Sequence, residues 1–229
     1  YINNCYYFEM NKNFITLGSS TYERIKHDII FGVLAPGVKL KLETLKNQYS
    51  ASVPTLRETL NRLTADGFVY APEQRGFFVN TVSQNDMIEI ANLRILLECH
   101  ALQLSIENGD TDWEGELVAA YHKLSLVEKR MQNGDNLQKE NWKRYDWEFH
   151  LALIKACSSK NLLSLHSTLY NKYLRYQMLV LTNRGSVAAA EHKEIFDAAL
   201  DRDTAKATNT LKKHILEGLN HTVSAMWSS

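Results

Sequence analysis

All three prolines of this chain, Pro36, Pro54 and Pro72, fall before residue 82, and none occurs in the rest of its 229 residues. That asymmetry restricts the fold more than any other feature, because proline removes a backbone donor and breaks a helix interior. After Val82, apolar residues recur at three- and four-residue spacing almost to the end, the period of helices that each bury one face. The rear therefore reads as an antiparallel bundle of about six helices. Its breaks fall at ENGD (107–110), QNGDN (132–136), CSSKN (157–161), TNRGS (182–186) and DRD (201–203). The front, from Ser20 to Asn80, is short-ranged and punctuated. It holds an amphipathic TYERIKHDIIFGVL, an APG turn at 35–37, a short KLKL, two brief helical patterns and a hairpin-like FVYAPEQRGFFVN.

Composition narrows the class without choosing a function. Hydrophobic residues at 45% and charged residues at 23%, with ten glycines, exclude a disordered or collagen-like chain. Formal net charge is zero; residues 1–80 carry nine Lys and Arg against seven Asp and Glu, or +2, and the remainder 17 against 19, or −2. So slight an excess decides nothing about a nucleic-acid partner. Cys5, Cys99 and Cys157 are odd in number and widely separated, which fits neither a disulfide framework nor a paired-cysteine zinc site. With no long apolar run, and an opening YINNCYYFEM unlike a secretion signal, the expectation is a cytoplasmic protein without a membrane partner, in which Met10 could be the original start.

Residues 43–66, ETLKNQYSASVPTLRETLNRLTAD, carry the main signal in the front half. Leu45 and Tyr49 face inward on a short helix, Ser50 and Ala51 make a tight turn, and Ser52 caps a second helix with Leu56, Leu60 and Leu63 on one face. Pro54 in the first turn costs no hydrogen bond. Two short helices so joined have the helix-turn-helix geometry, whose second helix sets its N-terminal residues against base edges in the major groove. Thr55, Arg57 and Arg62 are left outward as donors, and Ser52 can offer a helix N-terminus to a phosphate. The following FVYAPEQRGFFV alternates as a two-stranded wing with Arg75 and Gly76 at its tip. A structural three-helix unit without DNA shows the same periodicity.

The string from Ile29 to Val79 resembles the N-terminal domain of the GntR family of bacterial regulators. The positions that carry the resemblance include Gly32, Pro36, Gly37, Leu40, Leu45, Ser52, Leu56, Arg57, Glu58, Leu60, Leu63, Gly67, Val69, Arg75, Gly76 and Val79. The chain departs where the family has arginine after the capping residue, here Val53, and where its Thr-Pro order is inverted as Pro54 and Thr55. The resemblance implies DNA contact by Ser52, Val53, Pro54, Thr55, Arg57, Arg62, Arg75 and Gly76, and a homodimer on a double-stranded, pseudo-palindromic operator. Those departures leave the operator sequence open.

In the rear half, Asp146 and His150 stand four apart in KRYDWEFHLALI, on one face of a helix. That spacing also makes an ordinary ion pair. His192 and His214 lie on consecutive helices joined by DRD, roughly 15 Å and 18 Å along the axis from Arg202, and so at similar depth. His27, His100, His122 and His166 show no partner spacing and read as surface or satisfied core histidines; His221 could replace His214 only if the last helix were rotated. One Asp and three His suit a divalent metal ion, zinc or nickel first, with manganese or iron also admissible.

These rear residues are similar to the helical ligand-binding domain of the FadR subgroup of the same family. Its metal-binding members use an Asp-x-x-x-His helix, a His in a Glu-His segment and a His on the last long helix, positions filled here by Asp146, His150, His192 and His214. The resemblance also implies a small carboxylate effector held with an arginine, for which Arg94 in ANLRILLECHAL and Arg175 are the candidates. Either arginine could instead be a structural ion-pair partner.

The fold class expected is mainly α, a winged helix-turn-helix of three helices plus a β-hairpin followed by an antiparallel all-α bundle. The spans are an extension at 1–19, the DNA-binding domain at 20–80, a linker at 81–86 with Ser83 as a helix cap, and an effector-binding domain at 87–229. The function expected is a repressor under effector control, not an enzyme. The rival is a metal-dependent hydrolase using the same Asp and three His. Against it, Glu148 points away from the ligand candidates, while Glu191 and Glu194 neighbour His192 without a clear role. A third reading has the histidines merely packed, without metal.

Overall fold

A computed structural model of the protein describes residues 17–135, 139–180 and 184–227. The chain divides into two compact units, the first ending at Val82 and the second beginning at Ser83. The expected extension at 1–19 and Cys5 lie largely outside the described residues, since the first helix, α1, opens at Leu17 and runs to Ile30.

In the first unit, β1 (Lys39–Leu40), α2 (Leu42–Tyr49), α3 (Val53–Ala65), β2 (Val69–Tyr70) and β3 (Phe77–Val79) follow α1. The core is a short list of large side chains: Ile25 and Ile29 of α1, Leu45 and Tyr49 of α2, and Leu56, Leu60 and Leu63 of α3 are each at most 2% exposed. Ser50 takes the left-handed conformation (φ 52°) that reverses the chain between α2 and α3. The Tyr49 hydroxyl donates to Asp28 at 2.5 Å, tying α2 back to α1. KLKL does more than connect. Its β1 pairs antiparallel with β3, and β2 pairs with the other edge of β3, so the expected two-stranded wing is part of a three-stranded sheet ordered β1-β3-β2. At the wing tip Gly76 has φ +87°, a conformation a side chain would strain.

The second unit is an all-helical bundle: α4 (Gln84–Asn108), α5 (Thr111–Gln132), α6 (Lys139–Ile154), a 3-10 turn (Lys155–Cys157), α7 (Lys160–Val180), α8 (Ser186–Leu200) and α9 (Thr204–Trp227). Ser83 Oγ accepts the Asp86 N–H at 3.2 Å and starts α4 inside the stretch expected to be linker, so residues 84–86 form its first turn. Asp110 caps α5 in the same way, at 2.9 Å from Trp113 N. Packing pairs α4 with α7 and α9, α5 with α6 and α8, and α8 with α9. Arg202, in the break between α8 and α9, donates to the carbonyls of Ile106 (2.5 Å) and Gly109 (2.9 Å) in the break between α4 and α5, closing one end of the bundle. Among the described residues no helix is long and apolar enough to cross a membrane.

Candidate functional site

In the first unit, the apolar face of α3 is spent on the core, and what remains faces solvent. Ser52, Pro54, Arg57 and Arg62 are exposed, with Val53 and Thr55 half-buried. Ser52 Oγ accepts the Thr55 N–H at 3.3 Å and lies 2.9 Å from the Thr55 hydroxyl, so the helix starts capped yet open to solvent. Arg62 is braced, its guanidinium 4.4 Å from the centre of the Tyr22 ring. Arg57 has no partner among the described residues. Arg75 and Gly76 are exposed at the wing tip.

In the second unit, α6 turns Asp146 and His150 to the same side, where they meet His192 from α8 and His214 from α9. One ligand atom from each lies within 4.8 Å of all the others, and all four residues are buried. His192 Nε2 stands 3.2 Å from His214 Nε2 and 3.3 Å from Asp146 Oδ1. Ligands about 2.1 Å from one ion are separated by roughly 3.0–3.4 Å along octahedral or tetrahedral edges, so these spacings suit a shared cation.

Each histidine is aimed by a carboxylate at its outer nitrogen. His150 Nδ1 meets Glu98 at 2.8 Å, His192 Nδ1 meets Glu128 at 2.7 Å, and His214 Nδ1 meets Glu191 at 2.8 Å. A carboxylate accepting from Nδ1–H leaves Nε2 as the inward acceptor, which is the arrangement that orients metal ligands. His150 Nε2 is buried with no hydrogen-bond partner among the described residues, a costly state unless something occupies the centre. Burial opposes charge on His192, but Asp146 and Glu128 outweigh it and push its pKa up to about 9. Burial and the neighbouring His192 drive His214 down to about 3. Three nitrogens with one oxygen fit a divalent ion of the zinc, nickel, manganese or iron kind.

A small cavity, partly open to solvent, adjoins the cluster and is lined by Asp146, His214, Arg94, Lys143, Arg184 and Tyr173 among others. Arg94 is where the sequence placed it, but it is not free. Its Nε donates to Glu98, and its guanidinium lies 4.5 Å and 4.8 Å from the ring centres of Tyr170 and Tyr173. Arg175 does not line the cavity: it follows Tyr173 by two residues, roughly 200° round α7, and is buried where the charge of Asp86 reaches it. His166, read as unremarkable, joins Glu98 with its Nε2 at 2.9 Å and stacks on Trp147. The acids weighed as a general base are engaged. Glu148 pairs with Lys123 at 3.0 Å, and Glu191 holds His214 and Arg184.

Lys143 escaped the sequence reading because KENWKRYDW looks like a solvated charge run, although three residues before Asp146 is a same-face spacing. It is buried, donates to Gln177 Oε1 at 2.8 Å, and is pushed down to about 8 by loss of solvent, with Asp146 pulling the other way. A buried cation with so little compensation lowers stability. Lys143→Met is expected to stabilise the fold at pH 7 by about 1–4 kcal/mol in urea melts. Because the unfolded lysine keeps its proton to higher pH than the folded one, wild-type stability rises above pH 8, and the advantage of the variant should shrink toward pH 10. A variant less stable than wild type at pH 7 would show that the ammonium is well compensated.

Comparison with known proteins agrees with both units. Residues 17–79 match the bacterial regulatory proteins of the gntR family, and residues 89–217 match the FCD domain. The chain is 38% identical over 205 residues to the HTH-type transcriptional regulator BphR of Paraburkholderia xenovorans, covering 89% of this chain and 84% of that one. It is 30% identical over 203 residues to the HTH-type transcriptional repressor GlaR of Escherichia coli, covering 85% and 90%. The solved structure of E. coli McbR/YncC superposes with a TM-score of 0.77 at 20% identity, over 92% of this chain and 99% of that one, a likeness of fold.

Proposed function

Since the chain belongs to the GntR family of bacterial regulatory proteins, carries an FCD domain and is a DNA-binding transcriptional regulator rather than an enzyme, we propose that it is a repressor controlled by a small organic acid bound beside a metal ion. The observation that carries this reading is the convergence of Asp146, His150, His192 and His214, each histidine aimed by its own carboxylate, beside a cavity lined with cations whose wall includes Asp146 and His214. Those four side chains would hold the ion. When bound, it would supply a fixed positive charge for a carboxylate of the effector. Arg94, Lys143 and Arg184 attract the acid to the same cavity, and the buried walls keep that attraction strong by excluding water. The description of GlaR as a repressor supports the direction of control.

On DNA, α3 lies in the major groove with Ser52, Val53, Pro54, Thr55, Arg57 and Arg62 toward the duplex, and Arg75 and Gly76 reach the backbone or minor groove. One such unit makes few contacts, so two copies of the chain act together as a homodimer on a pseudo-palindromic operator. Effector binding favours a second arrangement of the DNA-reading units. Arg94 and Glu98 sit on α4, the helix that follows the first unit directly in sequence, and a shift of that helix is the route by which occupancy is read.

The test has two arms. Purified protein is expected to hold about one divalent ion per chain, and readdition to stripped protein at about a thousandfold excess over Kd should stabilise it by about 4 kcal/mol. The promoter region beside its own gene should be retarded in a gel shift at moderate salt and released by the acid. Stripped and metal-treated protein melting alike would remove the metal from the account, and a lack of retardation would remove the operator.

A further inference from the structure

The cations around the cavity are not equally matched. Arg94 is neutralised by Glu98, and Arg184 by Glu191 at 2.7 Å. Among the described residues Lys143 is hydrogen-bonded only to a neutral amide, Gln177 Oε1, and it lies 4.0 Å from the ring centre of Trp142. Among the described residues the one carboxylate on the cavity wall is Asp146, which already accepts from Tyr170 and His192 and belongs to the metal-binding set. With a cation on that set, the charge that offsets Lys143 is taken. Arg184 adds a second open valence: its Nη1 is buried with no hydrogen-bond partner among the described residues. Arg94 and Arg184 both act on Lys143 as like charges, which places positive potential in one part of the cavity. A buried ammonium and an unpaired guanidinium N–H on residues that line one cavity call for an anion.

We propose that the effector is a dianion, a dicarboxylate whose first carboxylate faces the metal cluster and whose second sits against Lys143 and Arg184 Nη1. Lys143 is thus the residue that sets specificity. It is kept in spite of its burial because the bound acid supplies the charge that the protein does not. Gly218 lets Tyr173 lie against α9, since a side chain there would meet the Tyr173 hydroxyl at 2.8 Å. The inference rests on the reading of this cavity as the effector site.

The test uses full-length, zinc-loaded protein and measures melting shifts and calorimetric affinity for succinate, glutarate and adipate beside butyrate, valerate and hexanoate. Wild type should prefer the best dicarboxylate over its monocarboxylate partner by about 10- to 100-fold, the worth of one charge-assisted contact. Lys143→Met should lose that preference, its affinity falling much further for dicarboxylates than for monocarboxylates, and Lys143→Arg should keep part of it. If monocarboxylates bind wild type as tightly as dicarboxylates, or if Lys143→Met still discriminates, the second anionic subsite is wrong although the cavity remains the effector site. If neither class binds, both the subsite and the effector reading fail together.

Discussion

Replacing Glu98 by alanine is expected to destabilise the second unit by about 3–5 kcal/mol, the loss that follows when one partner of a buried charge network is removed. Glu98 is fully buried and serves three groups on three helices: Arg94 of α4, His150 Nδ1 of α6 at 2.8 Å and His166 Nε2 of α7 at 2.9 Å. Burial works against its charge, but Arg94, His150 and His166 outweigh that and hold its carboxyl well below the usual range. Alanine strands the Arg94 guanidinium between two tyrosine rings with no counter-charge. It also releases His150 Nδ1, so the ring can place its proton on the inward Nε2, where a metal would have to displace it; affinity for zinc should fall about 10- to 100-fold. Glu98→Gln, which keeps volume and removes charge, should recover packing but not the ion pair. Because the folded pKa of Glu98 is depressed, the gap between wild type and Glu98→Gln should be full at neutral pH and close only as pH falls below the ordinary carboxylate range. A loss under about 1 kcal/mol in urea melts would mean that Arg94 and the histidines find other partners.

Local signals carried much of this architecture in the sequence, and non-local ones were silent. Helix ends were readable because a cap is a contact across three residues: Ser52 to Thr55, Ser83 to Asp86 and Asp110 to Trp113 each repeat that spacing. The convergence of Asp146, His150, His192 and His214 was readable because one pair is a helix turn apart and the other straddles a short break, which fixes depth without tertiary knowledge. The carboxylates that aim these histidines were not, since Glu98 and Glu128 lie 52 and 64 residues from their partners. The same holds for β1, whose pairing with β3 closes a loop of distant residues. Arg175 lies off the cavity for a different reason: charge type selected it, whereas helical phase relative to Tyr173 decides which residue meets the cavity.

Arg57→Ala should weaken operator binding by roughly 30- to 10⁴-fold without moving the melting curve. A good bidentate arginine contact to a base is worth about 1–3 kcal/mol, and a pair of half-sites counts it twice. Arg57 suits that role on physical grounds: it flanks the buried stripe of α3, is exposed, and spends its donors on nothing within the described protein. Its removal therefore costs the fold little. Arg62 is the internal control. Braced on Tyr22 and nearer the C-terminal end of α3, it is placed to meet phosphate, so Arg62→Ala should weaken all duplexes alike and flatten the dependence of affinity on salt. Anisotropy titrations on the operator and on scrambled duplex at several salt concentrations separate the two. Equal losses from Arg57→Ala on both duplexes would assign that residue to the backbone and leave sequence reading to Thr55 and the wing.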